Sequence, residues 1–166
     1  MAISFWSAAW FAPFVLPICL YVIWSDLARM KIPNQAVLLL GAVFLVVGLV
    51  ALPFEAYLWS LVAGAAIFVI GLLLYAIGGI GAGDIKFAAV MAPFFDGGDL
   101  RTILYLFAGV LLAAVATHRL MRRVKPIRAQ TPDWVSWDRG KLFPMGVALA
   151  GALVVYLALG ALGTGA

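Results

Sequence analysis

Charge is scarce in this chain: Asp, Glu, Lys and Arg make up 11% of its 166 residues, while 66% are hydrophobic. A soluble domain carries roughly 25% charged residues. A chain with so little polar surface excludes water as its main solvent and leaves lipid. Cysteine is scarcer still. A lone Cys19 excludes an internal disulfide framework and a CxxC metal site, and among Leu, Ile and Pro it reads as a small packing residue. Histidine is also single. His118 has no second His, Cys or Glu at ligand spacing, so no metal ion and no cofactor are expected. The net charge of +4 does not point to nucleic acid, because loops beside a bilayer are basic for topological reasons alone.

What fills the chain instead is long apolar runs. A spanning helix needs about 20 mostly apolar residues, and the runs lack the period-two alternation of a barrel strand. The sequence therefore predicts an all-α polytopic membrane protein with about six transmembrane helices in a single membrane-embedded domain, residues 1–166. The spans read as 8–24, 35–52, 56–77, a short 84–95, 102–117 and 143–162. Pro33 disfavours helix at the residue before it, which ends the first span. Pro53 and Gly97-Gly98 mark two further joins. Pro13 and Pro17 fall inside the first span and are expected to bend it. No basic stretch precedes that span, so it reads as a membrane helix and not a cleaved leader.

Orientation follows from charge. Ten of the eleven Lys and Arg residues fall in the joins after the first, third and fifth spans, about 25–34, 78–86 and 119–142. The positive-inside rule places these joins in the cytoplasm and both termini outside (N-out/C-out). The longest join, 119–142, carries Trp134 and Trp137 and is expected to lie on anionic headgroups with its tryptophans at the interface. His118 reads as an interfacial residue beside it.

Glu55, Asp96, Asp99, Asp133 and Asp138 have ordinary explanations as solvated turn residues. Asp26 and Asp84 do not. Each sits at the cytoplasmic end of a spanning helix, where an ionisable group is expensive and points to function. If the first and fourth spans are neighbours, the two carboxyls meet and share one proton. One then serves as base towards a water while the other polarises a carbonyl, a pairing that hydrolyses a peptide bond. Gly81-Ala82-Gly83-Asp84 is a GxGD motif at a helix entrance, and its glycines permit close backbone approach. Read alone, it is equally a hinge with an N-capping aspartate.

Three stretches together resemble the type IV prepilin peptidases. They are Asp26 with Lys31-Ile32-Pro33-Asn34, then Gly81-Ala82-Gly83-Asp84-Ile85-Lys86, then Lys141-Leu142-Phe143-Pro144-Met145-Gly146, the last similar to an FPxG stretch. The resemblance implies a GxGD-type aspartic endopeptidase with Asp26 and Asp84 as the catalytic pair. Its substrates would be prepilins or pseudopilins with a basic leader and a hydrophobic helix, cut at the cytoplasmic face of the bacterial inner membrane. Lys86, Gly81, Gly83, Arg29, Lys31, Pro33, Asn34, Pro144 and Gly146 are the candidates for positioning substrate or tuning the pair, and several have a plain reading as topology charges and turn residues. Long members carry an N-terminal segment with paired CxxC motifs and also methylate the product. With one cysteine, this sequence resembles the short form of tight-adherence (Flp-type) systems, and methyl transfer is not expected. A small ion or proton transporter would use the same two acids, although transporter sites usually lie nearer the midplane. A non-enzymatic assembly subunit would need neither.

Overall fold

The computed structural model describes residues 1–78, 80–140 and 142–163. Gly79 and Lys141 of the sequence motifs fall outside them. The described residues form seven α-helices with short 3-10 turns: α1 Phe5–Arg29, α2 Asn34–Ala51, α3 Phe54–Ala76, α4 Ala82–Met91, α5 Leu100–Met121, α6 Lys125–Gln130 and α7 Met145–Ala161. The fold is that of a polytopic all-α membrane protein. Four helical segments are long and apolar enough to cross a membrane, Phe5–Arg29, Asn34–Ala51, Phe54–Ala76 and Gly97–Met121, and α7 is a shorter apolar helix of 17 residues. The fourth apolar segment is ten residues of α4 followed by a 3-10 turn, Ala92–Phe94.

Helix ends follow local chemistry. Ser4 caps α1 by accepting the Ser7 N–H, and α1 continues through Pro13 and Pro17 to Arg29. It outruns the expected 8–24, so Asp26 lies within its last turns. Pro33 and Pro53 stand directly before α2 and α3, where a fixed φ suits the entry and no amide is lost.

The centre of the bundle is α1 against α7, which pack most extensively, with α2 on the other side of α1. They run antiparallel. A Cβ on Gly160 would lie 2.9 Å from Ala8, so the two backbones nearly touch at that end. Cys19 is fully buried in this core, as its neighbours suggested. Beside it Phe11 packs edge-on to Phe94 at 4.9 Å and parallel to Phe44 at 5.8 Å.

α3 meets the bundle differently. Its buried residues are Tyr57, Gly64 and Gly71, Ser60 and Leu61 are half-buried, and most of its remaining surface is exposed. The two glycines lie seven residues apart on one face and let α4 come close. A Cβ on Gly64 would fall 2.8 Å from Pro93, and one on Gly71 would collide with Ile85.

Asp99 departs from expectation. It is 4% exposed and not a solvated turn residue. Its carboxylate accepts the N–H of Ala2 at 2.7 Å, the N–H of Ile3 at 3.1 Å and the hydroxyl of Tyr156 at 2.8 Å. A buried acid persists where its lone pairs are filled, and here the chain's first residues fill them.

Replacing Gly71 with Ala is expected to destabilise the protein by about 1–3 kcal/mol through overpacking on Ile85. Thermal midpoints in detergent would read this, and pairing it with Ile85→Ala should restore part of the loss.

Candidate active site

The last turn of α1 builds one wall. Met30 adopts a left-handed conformation, φ 54°, and its N–H closes on the Asp26 carbonyl at 2.9 Å. That conformation is uncommon for a residue with a long side chain. It reverses the chain, and the Ser25 hydroxyl then fixes the reversal by donating to the Lys31 carbonyl at 3.0 Å. The N-terminus of α4 builds the opposite wall. Gly81 precedes the helix and Asp84 sits in its first turn. A Cβ on Gly81 would lie 2.9 Å from the Asp84 Oδ2, so glycine leaves room for the carboxyl to fold back over it.

The start of α7 supplies the floor. The Gly146 N–H donates to Asp26 Oδ2 at 2.6 Å, a buried bond between residues 120 apart in sequence. At the entry to a helix the first amides have no partner within the helix, so one is free to hold the carboxyl. A side chain at 146 would ruin this, since its Cβ would lie 2.8 Å from that oxygen and 3.1 Å from Ile32. Ile32 also packs near Gly83, 3.6 Å from where a Cβ there would sit. One isoleucine therefore fills the space between the two glycine motifs.

These walls enclose a cavity of about 340 Å³ at the basic end of the bundle, with Asp26 and Asp84 both in its lining. Lys31, Asn34, Gly81, Gly83, Lys86 and Pro144 line it too, as do Met30, Ile32, Phe143 and Met145. The structure thus brings most of the sequence candidates together. Three stand apart from the lining. Gly146 acts from beneath through its amide, and Pro33 opens α2. Arg29 places its guanidinium 5.0 Å over the Trp24 ring. Lys86, the strongest candidate for tuning Asp84, has its ammonium on the Asn34 side chain at 3.4 Å. It bridges α4 to α2. Among the described residues the one ion pair is Arg128 with Asp138 in the long join, and neither lines this cavity. Met30 and Ile32 carried no signal in the sequence, because their role comes from a backbone reversal and a gap between helices.

Asp84, Gly81 and Met145 also border a second, apolar groove of about 470 Å³. It runs between Ile70 and Leu74 of α3 and Phe107 of α5, over Ile85 and Ala88 of α4. A polar chamber and an apolar groove therefore meet at one carboxylate. Such a junction suits a substrate that is part polar and part apolar, positioned with its polar-to-apolar boundary near Asp84.

The long join is folded around Trp137. Trp137 is 2% exposed, stacks on His118 at 5.0 Å and donates its indole N–H to Thr131. His118 is buried with it.

A multi-pass helical membrane protein with two carboxylates over one cavity at its basic end has the parts of a hydrolase working at a membrane surface. The chain belongs to the type IV leader peptidase family, whose model matches residues 13–118, and is a protease on that ground. The match spans both aspartates and stops short of Phe143–Gly146, which only the fold brings to them. Neither a curated protein nor a solved structure gives a match.

Gly146→Ala should lower leader cleavage on the order of 10²-fold, the cost of a misplacement of about 1 Å in a reacting group. Gly109→Ala, whose Cβ would meet nothing within 4 Å, serves as the control that leaves cleavage unchanged.

Proposed function

We propose that this protein is an aspartic-type leader peptidase in which Asp26 and Asp84 are the catalytic pair. The observation that carries the reading is that both acids, 58 residues apart, line one cavity. In the proposed reaction one carboxylate takes a proton from a water as the water oxygen attacks the scissile carbonyl carbon. The other carboxyl, protonated, donates to the carbonyl oxygen. The tetrahedral intermediate then collapses, the C–N bond breaks, and the departing nitrogen takes a proton from the pair. The Gly146 amide holds one oxygen of Asp26 throughout, so that carboxyl keeps a set orientation in whichever of the two roles it takes.

The substrates are prepilins of the Flp type, cut at the cytoplasmic face of the bacterial inner membrane. Charge supports the side, since the cavity lies with the basic joins. The motif set supports the substrate class through its likeness to the short form of the family. The groove bordered by Asp84 supports a substrate with an apolar segment beside the scissile bond.

Co-expression with an Flp-type prepilin tests the reading. Wild type should remove the leader, while Asp26→Asn and Asp84→Asn, each keeping side-chain shape, should lose on the order of 10²–10⁴-fold in rate. Normal cleavage by either variant would end the two-carboxyl mechanism and favour an ion path through the same acids.

A further inference from the structure

A second polar cavity, of about 390 Å³, lies where α5 ends and the long join begins. Arg119, Arg122 and Arg123 line it, together with His118, Gly140 and Phe143. Among the described residues none of the three guanidinium groups has a carboxylate partner. The acid of the join that does make an ion pair, Asp138, is taken by Arg128. Arg122 donates to the Gly140 carbonyl at 3.3 Å. His118 is 92% buried between Trp137 and Phe143, and among the described residues its Nε2 is buried without a hydrogen-bond partner. A buried, unpartnered ring nitrogen is costly and asks for a ligand.

The end of α5 presents a partial negative charge of about half a unit. Three arginines exceed it and leave the cavity strongly positive. Arginine's planar fork suits phosphate oxygens. The cavity sits at the end of α5, in a segment long and apolar enough to cross a membrane, beside the basic join, and basic pockets at such span ends take anionic headgroups.

We infer that this cavity is a binding site for the phosphate of an anionic phospholipid headgroup, held by Arg119, Arg122 and Arg123 over the His118 ring. The site stands independently of the peptidase reading. Phe143 connects the two, since it borders this cavity and also the one that holds Asp26.

The experiment uses the full chain in phosphatidylcholine nanodiscs with added phosphatidylglycerol, reading retained lipid by native mass spectrometry. Wild type should retain phosphatidylglycerol selectively. Arg122→Gln with Arg123→Gln should weaken retention roughly tenfold or more. Lys125→Gln with Arg128→Gln removes the same charge outside the cavity and should leave retention intact. His118→Phe keeps the ring against Trp137, removes the nitrogen and should also weaken it. Equal loss in the two charge-matched pairs, or no loss in either, overturns the site. An inorganic phosphate arm separates the sources: phosphate that protects the protein and displaces lipid, with no selectivity for phosphatidylglycerol, overturns the headgroup assignment.

Discussion

The close antiparallel contact of α1 and α7 is the constraint on which the rest depends. In lipid there is little hydrophobic force between helices, so association rests on packing and on polar bonds. Here both are concentrated on one seam. At one end small residues let the backbones touch, Ala8 against Gly160. At the other, a backbone amide of α7 is spent on a carboxylate of α1. α2 packs on α1 and α5 on α7, while α4 meets α2, α3 and α7. The candidate site is thus a by-product of where that seam ends.

Two aspartates are buried by this architecture, one at each end, and their contrast is instructive. Asp99 receives two amides and a hydroxyl, and its carboxylate is filled. Asp26 receives one amide and otherwise borders a chamber. A filled acid is a tie between chain segments. A half-filled one retains bonding capacity for a water or a carbonyl. Burial alone would have ranked them together, at 4% and 5% exposed.

This contrast also marks how far the sequence could be read. Asp26 and Asp84 were legible because an acid at the edge of an apolar run has few innocent explanations and because two motifs surround them. The helices were legible because lipid demands length and uniform apolarity. Asp99 was misread, since its partners Ala2, Ile3 and Tyr156 carry no signal until the fold joins them. The stacking of Trp137 on His118 likewise carries no signal until the fold joins them. Gly146 was found by resemblance, but its work, an amide donated across 120 residues, belongs to the tertiary structure. Lys86 was legible as a neighbour of Asp84 in sequence, but its bond to Asn34 across to α2 was not.

The shortness of α4 sets a depth. Ten residues and one 3-10 turn rise roughly 20 Å at about 1.5–2 Å per residue, against about 30 Å of hydrocarbon. α3 beside it, with 23 residues, is long enough to cross in full. α4 is held between α2, α3 and α7, so neighbouring helices meet the shortfall where lipid otherwise would. A helix can end at membrane depth where the surrounding protein satisfies its freed backbone groups. Asp84, in the first turn of α4, thus stands at a depth that the length of one short helix fixes from the 3-10 turn at its other end.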